Sequence, residues 1–137
     1  MMREIKFRVW DKRVNKMSPV ANISFGDDGS ARTIITELAP KDKYYDAVVH
    51  GENGVLLQFT GLKDCRGNEI YEGDVLKMGD ATAKVVFWGR PPEFGLDFSH
   101  NEDEWCEDWD LSDDSERMQI IGNIYEHPEL LQEGSYE

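Results

Sequence analysis

The sequence predicts an all-β fold, and three observations predict it. Residues 4–10 alternate strictly between apolar and polar side chains, the period of a half-buried strand. Short apolar runs rich in Val, Ile and Phe recur down the chain, separated by turns that carry Gly, Asp or Asn. Their close spacing favours a small barrel or a sandwich over alternating strands and helices.

The elements follow in order. In residues 4–10, Ile5, Phe7 and Val9 point one way and Lys6, Arg8 and Trp10 the other. Residues 11–16 read as a turn. A return strand covers about 17–25, and Ser18-Pro19 within it predicts a sheet edge, because proline gives no amide to a ladder. Residues 26–29 turn again, and 33–36 fit a further strand or a short helix. Residues 38–54 are the least regular stretch. Strands are expected at 55–60, 70–71, 75–78 and 83–88. The Asp64-Cys65-Arg66-Gly67-Asn68 turn between the first two needs Gly67 at positive φ. Residues 94–98 alternate once more. The acidic stretch 101–116 fits a helix over about 100–109, capped by Ser99 and Glu102 with Trp105 and Trp109 four apart, or a solvated loop anchored by those tryptophans. Residues 118–125 make a last strand, Pro128 opens a short helix, and 132–137 read as a frayed tail.

The chain has 137 residues, enough for a single core without disulfide or metal staples. No apolar run approaches the ~20 residues that span a bilayer, and the first residues show no export signal. A cytoplasmic setting is therefore expected, with Cys65 and Cys106 as free thiols. Net charge is -13 and uneven: +2 over residues 1–50, -1 over 51–92 and -14 over 93–137, where Arg117 is the single basic residue. Such a field repels phosphate backbones, so direct nucleic-acid binding is not expected; it favours a basic partner or the basic face of another copy.

Three blocks carry a family resemblance. The central one runs Leu57-Gln58-Phe59-Thr60-Gly61-Leu62-Lys63-Asp64 and resumes at Gly67-Asn68-Glu69-Ile70-Tyr71-Glu72-Gly73-Asp74-Val75. Met2-Arg3-Glu4-Ile5-Lys6-Phe7-Arg8-Val9-Trp10-Asp11 opens the chain, and Ile121-Gly122-Asn123-Ile124-Tyr125-Glu126-His127-Pro128-Glu129-Leu130-Leu131 comes near its close. Together they resemble the YopX family of phage and prophage proteins. His127 stands where such sequences commonly have Asn, and residues 20–54 and 89–117 match no pattern. The resemblance implies a mostly-β fold in the cytoplasm of a bacterial host and brings no catalytic residues. Combined with the strand spacing, it gives a single YopX-like domain over 1–137. An N-terminal β-meander (about 3–60) packs on a small SH3-like barrel (about 61–126), with a short C-terminal helix.

No constellation specifies a reaction. The chain has no nucleophile elbow and no phosphate or dinucleotide loop. His50, His100 and His127 are widely separated, and His100 with Cys106 is too few ligands for zinc. Gly61, Gly67 and Gly73 read as turn residues and Asp74 as a turn cap; Glu72, two residues from Asp74, allows a paired-carboxylate site as the alternative. Neither enzyme activity nor a cofactor or metal is expected. The expected role is a non-enzymatic accessory protein acting through a protein partner or self-assembly. Its candidate partner-binding residues are Trp10, Trp105, Trp109, Glu104, Glu107 and Asp108. A homodimer would join the basic strand of Lys6, Arg8, Lys12 and Arg13 to another copy's acidic segment. The alternative is an acidic DNA mimic that inhibits a host DNA-binding protein or nuclease.

Overall fold

The structure is a computed structural model and describes residues 4–37, 47–89, 92–98 and 110–131. The described residues are mostly β: ten strands in two antiparallel sheets, with one short α-helix. The chain divides into two compact units, one made of Lys6–Gln58 and the other of the residues before Lys6 together with those from Phe59 onward.

The first unit is a meander. β1 (Phe7–Asp11), β2 (Lys16–Phe25), β3 (Ala31–Thr36) and β4 (Val48–His50) pair in sequence order. β1 also pairs with the start of β5 (Gly54–Lys63), with Trp10 opposite Val55. The β1–β2 turn uses Asn15 at φ 52, a left-handed position that asparagine tolerates. Val9, Ile34 and Val49 form the core, with Val20, Ala31 and Leu56 packed on it. Gly54 is required by that core: a Cβ there would stand 2.9–3.1 Å from Val9, Ile34 and Val49.

Pro19 does not mark an edge strand. β2 lies between β1 and β3, and Pro19 sits where it changes partners. Residues 16–19 pair with β1, and pairing with β3 begins at Val20. At that handover a missing amide leaves the ladders intact, and the Pro19 carbonyl still accepts from Glu37 N–H at 3.0 Å. Ile5, expected to share the inner face with Phe7 and Val9, lies before the strand and is exposed. Residues 33–36 are strand, not helix.

In the second unit the end of β5 pairs with β6 (Glu69–Tyr71). β7 (Asp74–Met78), β8 (Ala81–Gly89), β9 (Pro92–Asp97) and β10 (Gln119–Asn123) form a separate sheet in the order β10-β7-β8-β9. Among the described residues β9 and β10 are not paired, so this sheet is open and not a closed SH3-like barrel. β6 spans three residues and, among the described residues, pairs with β5 alone, so no ladder joins it to the β7–β10 sheet. Ile70, Leu76, Met78, Ala81, Ala83, Val85, Leu111 and Met118 are the core. Leu111 reaches it from α1 (Leu111–Asp114), a turn of helix that the sequence reading did not find; a 3-10 turn, Ser115–Arg117, follows. Pro128–Leu131 is 3-10 helix. The helix-or-loop expectation for 100–109 and the frayed tail at 132–137 fall outside the described residues. No helix among the described residues is long and apolar enough to cross a membrane.

Candidate functional site

The central block folds into two turns locked by buried polar groups. Asp64 is buried. Its Oδ1 accepts from Arg66 N–H and Asn68 N–H at 2.9 Å each, and its Oδ2 accepts from Ile120 N–H at 3.0 Å. Cys65 N–H donates to the Met118 carbonyl at 2.8 Å, so the turn is fastened to the strand entry 53 residues later. Burial pulls the Asp64 carboxyl upward; the amides of Ile120, Asn68 and Arg66 outweigh it and hold its pKa below the ordinary value. Gly67 completes the turn at φ 81, and Cys65 is a free, exposed cysteine.

The second turn centres on Gly73 at φ 85. Its N–H donates to the Val85 carbonyl at 2.9 Å and its own carbonyl accepts from Ile124 N–H at 2.8 Å. Asp74 Oδ2 accepts from Tyr71 N–H at 2.8 Å, the expected capping contact. Asp74 is buried while Glu72 is half-exposed, so the two carboxylates do not share one environment. Asn123, in the closing block, is buried; its Oδ1 accepts from Tyr125 and Glu126 N–H at 3.0 and 2.8 Å. Sequence reasoning singled out Asp74 and missed Asp64 and Asn123. The Asp-x-x-Gly-Asn spelling of the first turn was the available signal.

The opening block behaves alike. Asp11 is buried and accepts from Arg13 through N–H, Nε and Nη2 at 3.0–3.2 Å. The Arg13 side chain holds this carboxyl below its ordinary pKa against the opposing effect of burial. Arg13 Nη2 also reaches the Val48 carbonyl. Arg13, expected on a basic docking face, is exposed and also ties its own unit together. Trp10 lies in an interior strand and is half-buried. Trp105, Trp109, Glu104, Glu107 and Asp108 are outside the described residues.

A cavity of about 240 Å³ opens beside Asp11, Lys16, Ser18, Thr36 and Val49. Asp11 is engaged by Arg13, and Thr36 Oγ1 donates to the Ala47 carbonyl at 3.3 Å, so two of its polar groups already have structural work. No group of three His, Cys, Asp or Glu side chains able to hold a metal occurs among the described residues. Among the described residues of the second unit, the exposed large aromatics Phe87 and Trp88 lie on β8. Phe87 meets Phe94 edge-on at 5.2 Å, and Trp88 covers Gly95, where a Cβ would collide with the indole.

Comparison with known proteins accords with this geometry. The family described as YopX protein matches residues 6–132. The crystal structure of protein EF1440 from Enterococcus faecalis is 28% identical, with a TM-score of 0.67, over 96% of this chain and 100% of that one. The crystal structure of protein yopX from Bacillus subtilis is 19% identical over the same shares; its TM-score of 0.50 shows a likeness of fold. No curated protein matches the sequence. The turns that Asp64, Gly73 and Asn123 hold together lie within the matched region, and this chain belongs to the YopX family.

Proposed function

We propose that the chain is a non-enzymatic accessory protein of phage or prophage origin, which works in the bacterial cytoplasm by binding another protein. One observation carries this reading. The buried polar side chains of the family blocks, Asp11, Asp64, Asp74 and Asn123, each accept backbone amides at the ends of strands and turns. Residues used in this way hold a scaffold, and function then rests on the surface that the scaffold displays. Exposed Phe87 and Trp88, on opposite faces of β8, offer apolar anchors, and the acidic composition of the C-terminal third suits a protein contact with a basic partner.

The test is affinity capture by the tagged full-length chain from phage-infected cells, with light scattering of the purified chain alongside. A stoichiometric protein partner, or a defined self-assembly, is the expected result. Capture of neither, together with turnover of a small molecule by the purified chain, would reverse the reading. A second reading, an acidic DNA mimic, draws on the exposed Asp110, Asp113 and Glu116 around α1. Its mark would be competition between this chain and duplex DNA for one basic protein.

A further inference from the structure

The two edges of the β10-β7-β8-β9 sheet are built differently. β10 has a register shift between Ile120 and Gly122, and its Ile120 amide is engaged by Asp64. β9 runs against β8 without a shift, from Asp97 opposite Lys84 to Pro92 opposite Gly89. No other strand among the described residues pairs with β9. Natural edges are commonly blunted by a bulge, an inward charge, a lysine or a proline within the strand. β9 has neither bulge nor lysine, and its proline is confined to the first position, Pro92.

The side chains beside this edge have a definite chemistry. Phe94 and Leu96 pack on the core, so Glu93, Gly95 and Asp97 share the opposite face. Trp88, opposite Glu93 in the ladder, covers Gly95 yet remains 42% exposed. Asp97 is paired with Lys84 at 3.6 Å, and Glu93 is exposed. A strand edge without a register shift thus stands beside an exposed indole and a carboxylate.

We infer that β9 is a docking edge for an extended basic segment of a partner protein, which joins the sheet as a fifth strand. This deepens the protein-binding reading and rests on it. Main-chain hydrogen bonds along β9 supply affinity. Alternate side chains supply selectivity, an apolar one on Trp88 and a Lys or Arg against Glu93. Local charge fixes the sign of the partner: Glu93 is exposed on the strand itself, and α1, which packs against β9, carries Asp113 and Asp114 in its first turn. A second copy is the poorer occupant. Antiparallel pairing of two β9 strands about Gly95 sets Glu93 of each copy opposite Asp97 of the other, and like charges directly opposite destabilise a ladder.

The experiment uses the whole chain and a display library of random linear peptides as probe. The enriched peptides are expected to carry a Lys or Arg two residues from an apolar side chain, so that both fall on the face of Trp88 and Glu93, and to slow amide exchange along β9. Their affinity is expected to fall at least about tenfold in Trp88→Ala and in Glu93→Lys. Both variants are checked for a wild-type melting temperature, with Trp88→Phe as the conservative control expected to keep binding. Failure to enrich any peptide, or peptides without basic bias, would overturn the inference. So would a dimer of the chain that itself protects β9. Basic peptides that protect amides elsewhere would remove the β9 edge and leave the protein-binding reading standing.

Discussion

Single side chains explain why the family blocks are spelled as they are. Gly73 is buried at φ 85 with both its amide and its carbonyl engaged. Gly73→Val is expected to cost about 1–3 kcal/mol in backbone strain alone. Asp74→Asn keeps an oxygen for the Tyr71 amide and should cost less. Thermal melts of the two variants decide, and equal melting temperatures would remove the turn argument. Asp64 carries a separate expectation. Its folded pKa is below the ordinary 3.8, so its contribution is complete above that value and is lost as pH falls through the lower folded value. Asp64→Asn should lose about 1.5–3 kcal/mol at neutral pH and show a shallower fall in stability on acidification than the parent chain. Urea titrations at several pH values would read both effects.

Among the elements, the 3-10 turn at Gly51–Asn53 and the β8–β9 ladder give opposite answers to the same substitution. A Cβ at Gly51 would collide with the Ala31 carbonyl at the head of β3, whereas one at Gly89 would meet nothing within 4 Å. Gly51→Ala should therefore destabilise by about 1–3 kcal/mol, and Gly89→Ala should leave the melting temperature nearly unchanged. Matching melts for the two would contradict this packing. The elements also show where the sequence was legible. Alternation and turn glycines located most strands, because side-chain period and positive φ are local properties. Partner choice is not local. Pro19 suggested an edge because proline weakens a ladder, yet β2 tolerates it at the residue where one partner is exchanged for the next. The barrel expectation failed to close for the same reason: nothing in residues 69–71 says that β6 bonds to β5. α1 was hidden by its brevity. Its signal was Asp110 ahead of buried Leu111, with the Asp110 carboxylate accepting from Ser112 and Asp113 amides.

At the scale of the whole molecule, charge dominates. A net charge of -13 on 137 residues opposes compaction through self-repulsion, and added salt screens it. The melting temperature is expected to rise as sodium chloride increases from low to moderate concentration; a fall would mean that attractive ion pairs such as Lys84–Asp97 outweigh the repulsion. The exposed Cys65 should be alkylated by iodoacetamide in the native protein without reductant, and a resistant Cys65 would contradict its placement. The Asp64–Ile120 contact has a further consequence, in time. The turn at Asp64 leaves the ribosome well before Ile120 is made, and until then its Oδ2 has no strand to bind. Closure over so long a separation comes late and slowly. During synthesis the C-terminal strand therefore decides when the second unit becomes native. A chain released within the acidic stretch would lack Met118 and leave Ile70, Leu76 and Val85 as an incompletely covered apolar surface, a target for chaperones and proteases.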